Sequence, residues 1–157
     1  RFAHEHVTGV TDTAAKYHAL QPDVFHFQHA TYVETLFAMV ETFIGPLDDT
    51  QRETLYRGCC EWYRRYGIST RPLPGSWPEF GEYFDDYCRA ELRPGPHFEE
   101  FRGEILDPSN WWPRVVPRHA IRAMQHPYAR ELAGIEVTRR DERSLRLFTH
   151  TCRVFNP

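Results

Sequence analysis

Apolar and polar positions recur along most of this chain with a helical period, and proline and glycine punctuate the intervals. A turn near Asp12 and a short ordered segment to Leu20 lead to Pro22, which stands where a first-turn proline belongs. From Asp23 to Ile44, the residues Phe25, Tyr32, Val33, Leu36, Val40, Phe43 and Ile44 return at helical spacing, and Gly45-Pro46 ends the run. Asp48 with Gln51 three residues on is a variant capping box. It predicts a second helix to Tyr66 with Leu55, Cys59, Trp62 and Tyr66 as its apolar stripe, stopped by Gly67. After a Pro/Gly-rich loop from Ser69 to Gly75, Ser76-Trp77-Pro78-Glu79 forms a clear capping box that opens a third helix to about Leu92.

Pro94-Gly95-Pro96 breaks the chain again. Helices are expected over Phe98 to Leu106, Pro117 to Met124 and Tyr128 to Leu132, with a hinge at Pro127. Asp141 to Val154 reads as a closing amphipathic helix with Leu145, Leu147, Phe148, Cys152 and Val154 apolar. Strand signals are almost absent. The expected architecture is an all-α bundle with proline-marked joints, in one domain over residues 1–157.

Composition changes this picture in one respect. Aromatic residues make up 15% of the 157, with four Trp, eight Tyr and eleven Phe. That content calls for a large aromatic core or an apolar cavity, the core being the commoner outcome. The net charge of −3 and the lack of any Lys/Arg run longer than two speak against a nucleic-acid partner. Cys59, Cys60, Cys88 and Cys152 show no C-x-x-C and no zinc spacing, so reduced thiols in a cytoplasmic protein are expected. No apolar run approaches the roughly 18 residues of a membrane span, and no signal peptide is read. The chain starts at Arg1, inside what looks like a motif, and an upstream segment is expected to belong to the native protein.

Nine histidines are more than average, and His4, His6, His26 and His29 attract attention. His4 lies in His4-Glu5-His6-Val7-Thr8-Gly9. A neutral imidazole can ligate haem iron from one side while an apolar pocket holds the porphyrin. On a helix His6 would point about 200° away, so only one of the two could face a pocket. Gly9 would let backbone approach a flat cofactor or turn sharply. The bland alternative is a structural or exposed histidine. His26 and His29, three apart, share a helical face as a metal-binding pair can; the competing reading packs His29 in the core with a carbonyl or carboxylate as its acceptor. Glu34 falls on another face.

Other chemistries lack support. No Glu-x-x-His exists for a di-iron bundle. His-Glu-x-x-His, Gly-x-Ser-x-Gly, a phosphate loop and Gly-x-Gly-x-x-Gly are also absent, which leaves hydrolase and nucleotide readings without a motif. Asp85-Asp86 is most simply a solvated helix face.

Three motifs in order carry a resemblance. His4-x-x-Val7-x-Gly9, then Tyr17-x-Ala19-Leu20-x-Pro22, then Phe27-Gln28-His29-Ala30-Thr31 resemble the catalytic domain of the MpaB-type and latex-clearing-protein oxygenases. That family reads Trp-Val-His-Ala-Thr where this chain has Phe27-Gln28-His29-Ala30-Thr31. Gly45-Pro46-Leu47 and Pro127-x-x-Arg130-x-x-x-Gly134 fit later segments. The likeness is strongest from His4 to Leu47 and loosest from about Arg93 to Ala120. It implies a globin-like helical core binding one b-type haem, with His4 as the iron ligand and His29 as a pocket histidine with a catalytic part. Gly9, Tyr17 and Thr31 would contact the cofactor, Tyr17 by reaching a propionate. Phe25, Phe27, Tyr32 and Phe37 would line or back the cavity.

The family's Arg-x-x-x-Thr element, about thirty residues before the iron ligand, has no counterpart in the chain. The implied activity is a haem-dependent oxygenase that uses dioxygen on an apolar, olefinic or isoprenoid substrate. The alternatives are a non-catalytic haem or hydrophobic-ligand carrier or sensor, and a helical interaction module without cofactor.

Overall fold

The computed structural model describes residues 5–10, 14–95, 98–106 and 115–155. Among them lie seven helices and one small sheet: β1 (Thr8–Val10), β2 (Lys16–His18), α1 (Pro22–Phe43), α2 (Asp49–Arg64), α3 (Trp77–Glu91), α4 (Phe98–Leu106), α5 (Arg118–Met124), α6 (Pro127–Ala133) and α7 (Arg139–Phe155). The all-α expectation holds. The hairpin is the addition: β1 and β2 pair antiparallel with Thr8 opposite His18, Gly9 opposite Tyr17 and Val10 opposite Lys16. Strands of three residues show too few alternations to stand out in sequence. The chain divides into two compact units, Arg1–Ala90 and Glu91–Pro157.

In the first unit, α1 begins with Pro22 in its first turn and ends as the Ile44 and Gly45 amides both donate to the Val40 carbonyl, at 2.8 and 3.0 Å. Its buried stripe is Phe25, His26, His29, Ala30, Val33 and Phe37. Two histidines thus occupy positions that the apolar pattern assigned elsewhere, while Tyr32 and Ile44, expected on the stripe, are exposed. The capping box of α2 forms as expected: Gln51 N–H donates to Asp48 Oδ1 at 2.8 Å and Asp48 N–H to Gln51 Oε1 at 2.9 Å. The buried residues of α2 are Tyr56, Cys59, Cys60 and Tyr63. The stripe is therefore turned by about one residue from Leu55, Cys59, Trp62 and Tyr66, with the Tyr63 ring packed against both α1 histidines.

α3 buries Phe80, Phe84 and Cys88, one per turn. Ser76 Oγ accepts from Glu79 N–H at 3.4 Å, but the Glu79 carboxylate accepts from Gly75 N–H rather than closing on Ser76. Rings join the three helices. Phe37 stacks on Trp77 at 3.8 Å and 10°, Phe27 on Tyr87 at 3.9 Å and 13°, and Tyr56 meets Phe80 at 5.2 Å. All four cysteines are free thiols.

In the second unit, α5 packs along α7. Arg102 Nε of α4 donates to the Ala133 carbonyl at 2.7 Å, at the end of α6. Gly134 then turns left-handed with φ 59°, as a helix C-terminus often requires. On α7, Leu147 and Val154 are exposed and the buried residue is Asp141. No helix of the described residues is long and apolar enough to cross a membrane.

Candidate functional site

α1 carries His26 and His29 into the aromatic core of the first unit, where they are 1% and 3% exposed. His29 is enclosed by rings of α2 and the turn that follows it: Trp62 at 4.7 Å, Tyr63 at 5.2 Å and Tyr66 at 5.9 Å between centroids. Its Nε2 lies 3.1 Å from the Cys59 carbonyl oxygen. A carbonyl only accepts, so Nε2 carries the hydrogen and Nδ1 presents a lone pair. That nitrogen is buried and has no hydrogen-bond partner among the described residues. Burial lowers the pKa of His29, opposed by the Cys59 bond. The residue is therefore a neutral imidazole in a fixed tautomer, oriented by a backbone carbonyl as catalytic and ligand histidines often are.

His26 lies one turn earlier on the same face. Tyr63 stands at 5.3 Å and Tyr83 of α3 at 4.7 Å from it. Burial, and next the proximity of His29, push its pKa down to about 4, with Asp23 pulling the other way. Its Nδ1 and the Tyr83 hydroxyl are likewise buried with no partner among the described residues. Each unsatisfied group of this kind costs about 1–3 kcal/mol, so three together call for a physical explanation. Hydrophobic periodicity missed His26 and Tyr83; the i, i+3 spacing of the histidines was the signal available.

The other residues singled out in the sequence fall in three places. His4 lies outside the described residues. Gly9 and Tyr17 are brought together by the hairpin: a Cβ on Gly9 would stand 2.5 Å from Tyr17 Cε1. The bare face of Gly9 is thus taken by the tyrosine ring. Both line an open cavity of about 560 Å³ with Thr8, Val10, Lys16, His18 and Gln21. Thr31 is two residues past His29, about 200° around α1, and its hydroxyl donates to the Gln28 carbonyl at 2.7 Å. It does not share a face with His29. Among the four aromatics, Phe25 meets Tyr63 and Tyr66 near His29, and Tyr32 stacks on Trp62 at 6.2 Å. Phe27 and Phe37 pack against α3 instead.

His18, not singled out in the sequence, ties the segment after His4 to the start of α1. Its Nε2 donates to the Glu5 carbonyl at 2.9 Å and its Nδ1 accepts from Leu20 N–H at 3.0 Å. Ala19 N–H adds a bond to the Val7 carbonyl at 2.9 Å. Among the described residues, no group of three or more His, Cys, Asp and Glu is placed to hold a metal ion. A metal here would need a ligand set of another kind, as a haem supplies with one axial histidine.

A family model described as the ER-bound oxygenase mpaB/B'/rubber oxygenase catalytic domain matches residues 1–154. The match spans both units, and the chain belongs to this oxygenase catalytic-domain family. It is an oxygenase-family domain, and thus of an oxidoreductase class. No curated protein and no solved structure matches the chain.

Proposed function

We propose that this protein is a haem-b-dependent oxygenase that cleaves or oxidises a C=C bond of an apolar, olefinic or isoprenoid substrate with dioxygen. The observation that carries the reading is His29: a buried neutral imidazole, held by Cys59, with a lone-pair nitrogen among aromatic rings. The residues around it fit such a group in kind, since a porphyrin and its substrate need apolar walls and few polar atoms.

His4 is the proposed iron ligand, and Tyr17, at the hairpin cavity, the proposed contact for a propionate. When bound, the haem supplies the iron that handles dioxygen. The protein's own contribution lies in four tasks. Phe25, Tyr63 and Trp62 wall His29 off from bulk solvent. His29 Nδ1 accepts a hydrogen bond or a proton from the reacting species, because its lowered pKa keeps it a free base at neutral pH. Cys59 holds that nitrogen's orientation. His18 fixes the backbone beside His4 through the Glu5 carbonyl.

The test is oxygen uptake with a panel of isoprenoid alkenes, with carbonyl products identified by mass spectrometry. Stoichiometric uptake with chain-shortened carbonyl products supports the reading. Bound haem with no alkene turnover and no oxygen uptake would turn it to a carrier or sensor.

A further inference from the structure

Two histidine nitrogens and one phenol are buried without a hydrogen-bond partner among the described residues, and their hydrogen-bonding capacities complement each other. His29 Nδ1 is an acceptor only, since the Cys59 carbonyl claims the ring's hydrogen. Tyr83 brings an O–H donor that is buried without an acceptor among the described residues. His26 connects the two: it shares the α1 face with His29, its ring lies against the Tyr83 ring at 4.7 Å between centroids, and it meets the same Tyr63 ring as His29 does. No two of the three atoms bond each other directly. A water molecule accepts and donates twice over, and buried waters sit where several otherwise unsatisfied polar groups converge.

We propose that His26, His29 and Tyr83 form an internal site for water, one or two molecules, that links the phenol on α3 to the two imidazoles on α1. Water accepts from the Tyr83 hydroxyl and donates to the histidine Nδ1 atoms. The ring of the fully buried Tyr63 packs against both imidazoles, at 5.3 and 5.2 Å between centroids. The site is the polar end of an otherwise aromatic enclosure. Resting on the role proposed above for His29, the water occupies the single lone pair of Nδ1 when no reacting species is bound there and keeps that nitrogen oriented, with the Nε2 hydrogen of His29 staying on the Cys59 carbonyl. His26 is thus a positioning residue, not one that touches substrate.

The experiment combines a crystal structure that resolves ordered water with nitrogen NMR of the histidine rings, on the intact protein and on Tyr83→Phe. That variant removes one oxygen and leaves the ring packing. The expected result is water density within about 2.6–3.2 Å of Tyr83 Oη and of at least one Nδ1. In Tyr83→Phe that density is lost and the His26 ring-nitrogen resonances move, while His29 keeps its Nε2–H tautomer. His26→Leu should equally displace the water and shift the His29 Nδ1 resonance, which serves if Tyr83→Phe is poorly folded. Three atoms found dry, or paired to protein groups, overturn the proposal, as do ring resonances identical in the protein and its variants. Haem content is read on the same samples: colourless protein with the water in place counts against the oxygenase reading and leaves this site standing.

Discussion

The two units bury polar side chains and treat them in opposite ways. In the second unit, Asp141 is 1% exposed and every oxygen is engaged. Thr138 donates to Oδ2 through its amide and its hydroxyl, both at 2.7 Å; His119 Nδ1 meets Oδ1 at 2.6 Å and Arg122 Nε stands 3.6 Å from it. Burial alone would raise the Asp141 pKa, but the two Thr138 bonds, His119 and Arg122 outweigh it and hold the carboxyl well below the usual carboxylate range. The cluster staples α5 to the first turn of α7. In the first unit, His26, His29 and Tyr83 are buried with acceptors and donors left over. A closed polar knot stabilises a fold; an open one makes room for a guest. The contrast supports the proposed role of His29 in the first unit on grounds independent of motif.

The comparison is sharpened first by Asp141→Ala. Removing the carboxylate leaves His119, Arg122 and Thr138 without their common partner, at a cost of about 3 kcal/mol, discounted because both cations are partly exposed. Thermal unfolding followed by circular dichroism should show the loss; an unchanged transition would mean that the knot is ornamental.

Acid separates the units next. His26 titrates near 4 in the folded protein and at 6.5 unfolded, so the unfolded chain takes the proton first. Its contribution is fully present above 6.5 and is lost as pH falls towards 4, by up to about 3 kcal/mol. The depressed carboxyl of Asp141 acts later: its contribution is present above the unfolded 3.8 and lost only as pH falls below that value. Urea midpoints between pH 7 and 4 should therefore fall in the protein and flatten in His26→Leu. A fall of equal size in both would assign the acid sensitivity elsewhere.

His29→Leu should cost stability less than about 1 kcal/mol, because one bond to Cys59 is lost together with an unsatisfied nitrogen. Turnover of the alkene should drop by roughly 100-fold or more, as expected for a lost proton acceptor. Large unfolding with unchanged turnover per folded molecule would reverse the assignment.

The smallest effect is expected from His18→Ala. Loss of the Glu5 and Leu20 bonds should cost about 1 kcal/mol and speed the loss of haem from the protein on transfer to apomyoglobin. Transfer at the rate of the parent protein would remove His18 from the site.

Much of the fold was legible because its signals are local. Asp48 with Gln51, and Pro22, Pro78 and Pro127 in first turns, act within one helical turn and need no knowledge of neighbours. The phase of α2 was not legible: Tyr63, which packs against both His26 and His29, is fully buried, while Trp62 meets His29 alone and stays partly exposed, and both histidines come from a different helix. Those histidines stand out by their i, i+3 spacing but are left off the apolar stripe, since a hydrophobic pattern scores an imidazole as polar even where it is neutral and desolvated. Family motifs pointed to His29 before any geometry did, and Cys59, whose carbonyl fixes its tautomer, has no signature, because a backbone oxygen is offered by every residue. Tyr83 could be found only once α3 was set against α1.

The measurement that bears most directly on the proposed function is a UV–visible spectrum of the purified protein, as isolated and after dithionite, beside that of His4→Ala. The expected result is a Soret band that shifts on reduction and is lost in the variant. A flat spectrum that added hemin leaves unchanged, or a full Soret band in His4→Ala, would contradict it.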